Sequence, residues 1–359
     1  MNPTKRIVSF LPSATEIACA LGLQESLVGI THECDYPPEI KGKPVVVRNA
    51  LPIEHMSQRE IDAAVAERMS KGESLYQIDE ELLQQLEPDL ILTQDLCQVC
   101  APSGNEVSQV LKMLPREPQV LWLTPKTLQE IDENIRQLGQ ATGRLTEALE
   151  LIDSGRARLQ NLAAMTEKVS YRPRVFCMEW LDPVYASGHW VPEMVRIAGG
   201  VDALGSEGAD SARISWDDVL EWRPEVLVLM PCGFNLAQVV EQSAKLSDYP
   251  GWSELPAVRE NRVYAVDANS YFARPGPRVV EGTELLAHLI HPELFSWPAS
   301  VPAYHRFRHS LKEDIDYYWE GTAMVFTATY LRARGYCCES GCRHCPYGFS
   351  RNSPSTSRN

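Results

Sequence analysis

No stretch of this chain approaches the roughly 18 uninterrupted apolar residues that a membrane-crossing helix needs, so a helical span is not expected. Positive charge is scarce as well. Thirty-four Lys and Arg stand against 48 Asp and Glu, and the formal net charge of −14 repels phosphate backbones and anionic lipid. Nucleic acid and membrane surfaces are therefore excluded as expected partners, which leaves a small molecule or another protein. No nucleophile–base triad, phosphate loop or nucleotide fingerprint falls at a strand–helix junction. Nor is there a leader: Ile7 to Leu11 is apolar, but Pro12, Ser13, Thr15 and Glu16 break the run, and Glu16-Ile17-Ala18-Cys19 puts a charge where a lipoprotein cleavage site wants an aliphatic residue. A cytoplasmic location is expected. There the ten cysteines are thiols, catalytic groups or metal ligands rather than disulfides.

What the chain does have is length and alternation. Its 359 residues, 44% of them hydrophobic, suffice for two core-bearing lobes and an appendage. Strand-like Arg6–Leu11, Leu27–Thr31, Asp89–Thr93 and Val120–Leu123 alternate with helix-like Ala14–Leu21, opened by Ser13, and Leu128–Gly139. A proline-free stretch from Leu145 to Lys168, with Leu145, Leu149, Ile152, Leu159, Leu162 and Met165 near helical spacing, predicts one long helix. Alternation then resumes, with strands at Arg174–Glu179, Val226–Met230 and Val263–Val266 and helices at Val191–Ala198, Trp216–Trp222 and Val279–Ile290. The expected fold is α/β: two Rossmann-like lobes with parallel sheets (residues 1–144 and 169–295), joined by one connecting helix (145–168), with a cleft at the carboxyl ends of the strands. Residues 296–359 form a Cys-rich module, with a helix-like Tyr317–Tyr330 and a polar end from Ser350 that is expected to be disordered.

Leu11-Pro12-Ser13-Ala14-Thr15-Glu16, Asp35-Tyr36-Pro37-Pro38, Leu86-Glu87-Pro88-Asp89-Leu90-Ile91, Tyr185-Ala186-Ser187-Gly188 with Gly199-Gly200, and Arg274-Pro275-Gly276-Pro277-Arg278 resemble, in this order, the cobalamin-binding periplasmic proteins of ABC importers. The likeness spans about residues 6–291 and implies a helix-linked clamshell that takes cobalamin or a related corrinoid or tetrapyrrole. Relatives with this fold also take siderophores or haem. A flat macrocycle needs broad walls, and Tyr36, Trp180, Trp190, Phe234, Tyr271 and Phe272 fall in or near loops at strand ends. Ser13, Ala14, Thr15 and Glu16 sit at a helix start with unpaired N–H groups; His32, Glu33, Arg48, His189 and Arg274 are the polar candidates in the same loops. The likeness implies pocket contact for the two histidines, not ligation of cobalt. An apparent insertion, His55 to Tyr76, departs from the family. With no leader, storage, trafficking or handover to a cytosolic corrinoid-using protein fits better than uptake.

Cys97 and Cys100, also counted among the ligand contacts, and Cys34 converge on the cleft edge of the first lobe, with Cys232 opposite. They read as weakly polar pocket residues or as thiolates for zinc or an iron–sulfur cluster. The denser group is Cys337, Cys338, Cys342, His344 and Cys345, which predicts a soft-metal site. Adjacent cysteines seldom both ligate one ion, so three sulfurs with His344, or a cluster, both fit. The stretch from Glu320 to Tyr347 resembles a small domain family of unknown activity. A binding protein is the leading expectation. The alternative is a metal-cluster-dependent redox enzyme acting on the ligand held in the cleft.

Overall fold

The computed structural model describes residues 5–53, 56–94, 110–307, 313–314, 317–333 and 342–346. In the first lobe the elements follow as β1 (Ile7–Ser9), α1 (Pro12–Ala20), β2 (Leu27–Thr31), β3 (Val45–Asn49), α2 (Gln58–Ser70), β4 (Tyr76–Ile78), α3 (Glu80–Leu86), β5 (Leu90–Thr93), β6 (Gln119–Trp122) and α4 (Leu128–Thr142). Their strands form one sheet in the order β4-β3-β2-β1-β5-β6, parallel except for β3–β4. The central strands β1 and β5 are buried throughout, as apolar runs covered on both faces must be. Helix α1 starts two residues before the expected Ala14, because Pro12, with its fixed φ, takes a first-turn position that needs no N–H donor. Ser13 lies inside the helix and does not cap it.

The connecting helix α5 (Leu145–Thr166) runs over the predicted stretch. It leaves α4 at close range: a Cβ on Gly139 would meet the Ala148 methyl at 2.5 Å. Bidentate hydrogen bonds from Arg158 to Glu284 tie it to the second lobe. One continuous core, including Ile7, Leu138, Ile152, Leu162, Val175 and Leu286, passes from lobe to lobe through this helix.

The second lobe contains β7 (Val175–Leu181), β8 (Val184–Ala186), α6 (Val191–Ile197), β9 (Ala212–Arg213), α7 (Trp216–Trp222), β10 (Val226–Leu229), α8 (Leu236–Gln242), α9 (Pro256–Arg259), β11 (Val263–Val266), α10 (Ala268–Tyr271), α11 (Val279–Ile290) and β12 (Tyr304–Phe307). The sheet order is β12-β11-β10-β7-β8-β9, parallel at its centre and antiparallel towards both edges. Strand β12 pairs with β11 from Val263↔Phe307 to Val266↔Tyr304, so the sheet of this lobe runs to residue 307, past the expected boundary at 295.

Beyond it lie β13 (Tyr317–Glu320), β14 (Ala323–Phe326) and α12 (Ala328–Ala333). The helix expected over Tyr317–Tyr330 is instead an antiparallel hairpin followed by a short helix. Tyr317, Tyr318 and Trp319 face Phe326, Val325 and Met324 across a two-residue loop whose Gly321 has φ 62°, and aromatic and β-branched residues flanking such a loop favour strands.

Candidate ligand site between the lobes

The first turn of α1 follows the carboxyl end of β1 and buries Ser13, Ala14, Thr15 and Glu16. Glu16 does not face an open pocket. Its carboxylate accepts from Arg278 at 2.8 and 2.6 Å and from Arg274 at 3.3 Å, both reaching over from the second lobe. Arg274 also donates to the Asp35 carboxylate and to the Glu33 carbonyl. Burial works against its charge, but the hydrogen bonds and charges of Asp35 and Glu16 prevail and raise Arg274 above the ordinary arginine range. The guanidinium of Arg278 lies 4.1 Å above the ring centre of Tyr36, a cation–π contact. Four sequence candidates, Glu16, Glu33, Tyr36 and Arg274, are thus brought together, largely as a latch between lobes.

Beside the latch, Cys34 lies 3.1 Å from the Thr15 hydroxyl, and burial pushes its thiol up to about 12, so it is held protonated. His32 sets Nδ1 3.2 Å from both the Val47 carbonyl, which only accepts, and the Thr31 hydroxyl, which can donate or accept. Its Nε2 is buried without a hydrogen-bond partner, 4.0 Å from the Glu33 carboxylate. Burial raises the carboxyl of neighbouring Glu33, with His32 and Arg274 opposing. Arg48 stands apart, exposed on β3 opposite Gln77.

On the facing lobe, Trp180 at the end of β7 is half-buried, and its ring meets Phe234 edge-on with centres 5.6 Å apart. Both are sequence candidates for a ligand wall, and the structure sets them against each other. Trp190 and Phe272 are not part of that pair. They are 5% and 2% exposed, belong to the core, and are joined by the indole N–H donating to the Phe272 carbonyl at 2.9 Å, as buried tryptophans require. Tyr271 is half-buried and packs edge-on against Trp297 at 5.9 Å. His189, at φ 51°, places Nε2 3.3 Å from Asp210, which also takes Lys126 of the first lobe at 3.0 Å. Burial lowers this histidine below its ordinary value. Nearby, Glu193 accepts from the Leu128 N–H at the first turn of α4.

Two features escaped sequence reasoning. One is Gln58 and Arg59, at the head of the insertion, which contact the β7–β8 turn of the second lobe. The other is a cavity of about 480 Å³ lined by Arg59, Asp182, Val184, Arg213, Trp216 and Tyr249, where the last two rings lie 4.5 Å apart. A helix read from Trp216 onward gives no hint that its first residue faces a cavity. A second cavity, about 890 Å³, lies at the amino ends of the second lobe's strands, between Met165, Tyr171, Arg262 and His291, away from the cleft. Among the described residues no three His, Cys, Asp or Glu side chains gather as a metal site. Cys97, Cys100, Cys337, Cys338 and His55 lie outside those residues. Cys342 and Cys345 share a turn closed by the Cys345 N–H on the Cys342 carbonyl, and His344 Nε2 is 2.8 Å from the Tyr318 hydroxyl.

This arrangement has clear likenesses. A vitamin B12-binding protein of Vibrio cholerae is 28% identical over 79% of this chain and 87% of its own length. An uncharacterized ABC transporter substrate-binding lipoprotein, YvrC of Bacillus subtilis, is 27% identical over 81% of each. The crystal structure of the V. cholerae periplasmic vitamin B12 binding protein BtuF superposes with a TM-score of 0.60 at 24% identity, covering 81% of this chain and 98% of that one. A periplasmic heme binding protein from Pseudomonas aeruginosa reaches 0.63 at 20% identity, covering 85% and 99%. Residues 307–351 match a family of unknown function, DUF5522. Residues 7–270 match the family described as periplasmic binding protein, and the chain belongs to that family of binding proteins, not to a family of enzymes.

Proposed function

We propose that the chain binds cobalamin or a close corrinoid in the inter-lobe cleft, inside the cytoplasm, for storage, trafficking or handover to a corrinoid-using protein. The observation that supports this reading is the Trp180–Phe234 aromatic pair where the second lobe meets Gln58 of the first, in a chain whose relatives include vitamin B12-binding proteins. Titration calorimetry with cobalamin, cobinamide and haem tests the ligand, with binding of a corrinoid at micromolar affinity or tighter expected. Silence with all three would mean that the cleft holds something else.

Haem is the second reading, favoured by His32. An imidazole whose Nδ1 can donate to a carbonyl, as His32 can to Val47, and whose Nε2 is buried without a hydrogen-bond partner has the form of a metal ligand. A Soret shift that disappears in His32→Ala would support it.

We further infer that the C-terminal module holds either one zinc ion, on three of Cys337, Cys338, Cys342 and Cys345 together with His344, or one iron–sulfur cluster on these cysteines. The density of sulfur in a short stretch and the Cys342–Cys345 turn support this. Metal analysis of anaerobically purified full-length protein and of a chain ending at Phe307 is the test. Loss of the metal on truncation is expected, and its retention would move the site to the cleft cysteines.

A further inference from the structure

The insertion helix α2 belongs to the first lobe by sequence, yet the contacts that anchor it lie on the second. The Leu181 N–H donates to the Gln58 side-chain oxygen at 2.7 Å, and the Trp180 indole N–H donates to the Gln58 carbonyl at 3.3 Å. Arg59 grips Asp182 with two hydrogen bonds of 3.0 and 2.6 Å. One turn on, Asp62 accepts from the Tyr185 hydroxyl at 3.2 Å. All these contacts are polar, all fall in the first turns of α2, and all land on the β7–β8 hairpin.

The rest of α2 has little to hold it. Among its residues only Gln58 is fully buried, and among the described elements none packs extensively along it. An element with few buried apolar contacts opens more readily than the core. The helix itself would survive undocking, because Ser57 and Glu60 close a capping box at its start that needs nothing from the other lobe.

We propose that α2 is a strap across the cleft, and that Gln58 is a positioning and specificity residue that fixes Trp180 in the ligand wall and offers its amide N–H2 to a carbonyl oxygen of the ligand. Gln58 is 2% exposed, and its side-chain nitrogen is buried without a hydrogen-bond partner. The orientation of the amide is fixed: turning it over would set N–H against the Leu181 N–H. A buried donor left open is costly unless something fills it, and it sits one residue from the arginine that lines the aromatic cavity. A ligand rimmed by amide or carboxylate oxygens supplies the missing acceptor. The inference rests on the cleft being the corrinoid site. Docking of the strap then closes over the bound ligand, and release requires Gln58 and Arg59 to let go together.

The test compares wild type with Gln58→Met, Gln58→Glu and Arg59→Ala, measuring cobalamin association and dissociation by stopped flow beside thermal unfolding. Effects of contacts made after docking fall mainly on dissociation. Gln58→Met should speed dissociation by about tenfold or more, at a small loss of unfolding temperature for the Leu181 N–H it leaves open, and Arg59→Ala, whose pair with Asp182 is exposed, by about threefold, with association little changed in both. Gln58→Glu keeps the acceptor for Leu181 but loses the donor, so it should retain slow exchange of the Leu181 amide while binding ligand more weakly. Dissociation within twofold of wild type in folded Gln58→Met and Arg59→Ala would overturn the strap; undiminished affinity in Gln58→Glu would overturn the ligand contact. Should wild type bind no corrinoid and no haem, the cleft reading and the ligand contact fall together. Hydrogen exchange then judges the strap alone: the Leu181 amide, held by the docked Gln58, must exchange faster in Arg59→Ala than in wild type, or the strap falls too.

Discussion

Trp180 and Trp190 are the same side chain in two physical roles, and substitution separates them. Trp190 is sealed in the core with its indole N–H on the Phe272 carbonyl, so Trp190→Ala leaves a large cavity and an orphaned carbonyl and should cost about 3 to 5 kcal/mol of folding stability. Trp180→Ala should leave folding nearly intact and weaken corrinoid binding by about 1 to 3 kcal/mol. Urea denaturation and calorimetry on both variants check this, and the reverse pattern would exchange their roles. Asp202 gives a second test. Burial outweighs its hydrogen bonds from the Gly205 and Leu204 N–H groups and Ser187, and pushes its carboxyl up to about 6. The folded chain keeps a proton that the unfolded chain has released, so stability falls as pH rises from about 4 to about 6 and levels off above. Glu179, also raised by burial, adds to the same slope, so Asp202→Asn should flatten it without abolishing it. Urea melts across this range decide, and an unchanged slope in the variant would assign it elsewhere. Residue identity announced that Glu16, Glu33, Tyr36 and Arg274 stand at strand ends. It did not reveal that they spend themselves on one another, because nothing local to residue 274 tells that it crosses to residue 16.

Elements were legible where one face or both faces of a stretch must be buried. The runs at Ile7–Ser9, Leu90–Thr93 and Val226–Leu229 are buried throughout, and the long helix stands where apolar spacing placed it. Legibility failed where pairing is decided at a distance. Strand β12 is half-exposed and Pro-flanked, with nothing in its own residues to show that β11 needs an antiparallel partner. It is nonetheless tied in: the Tyr304 hydroxyl is 3.0 Å from His288 of α11, and its ring meets Tyr264 edge-on. A chain ending at Phe307 should therefore melt near the full-length value. One ending at Phe295 exposes the β11 edge and should be less stable and prone to associate, read by thermal melts and light scattering. Equal behaviour of the two would make β12 dispensable. At the α4–α5 corner, Gly139→Ala forces its Cβ against Ala148 and the Arg144 carbonyl and should cost about 1 to 3 kcal/mol. A gain in stability would mean that the connecting helix yields there.

At the scale of the whole molecule the lobes are held by a shared core through α5 and by a seam of ionic contacts whose members differ greatly in worth. Lys126 and Asp210 pair at the exposed end of the seam, where water competes for both, so Lys126→Ala should change stability by less than about 1 kcal/mol. Glu16 is the opposite case: its side chain is 3% exposed, and it is the shared partner of two guanidinium groups that are 9% and 16% exposed. Removing it leaves Arg278 without a carboxylate and Arg274 with only the exposed Asp35, and breaking a buried pair costs about 3 to 5 kcal/mol, most of it the penalty of stranded charge rather than of a lost bond. Glu16→Ala should accordingly unfold earlier in urea and, where it remains folded, show a larger radius of gyration by X-ray scattering as the lobes part. The penalty resides in the stranded cations, so adding Arg274→Ala and Arg278→Ala to Glu16→Ala should recover part of the loss, a non-additivity expected only of groups acting as one unit. A triple variant less stable than the single by the sum of the separate losses would show that the latch contributes bond by bond, and that the core through α5 sets the distance between the lobes.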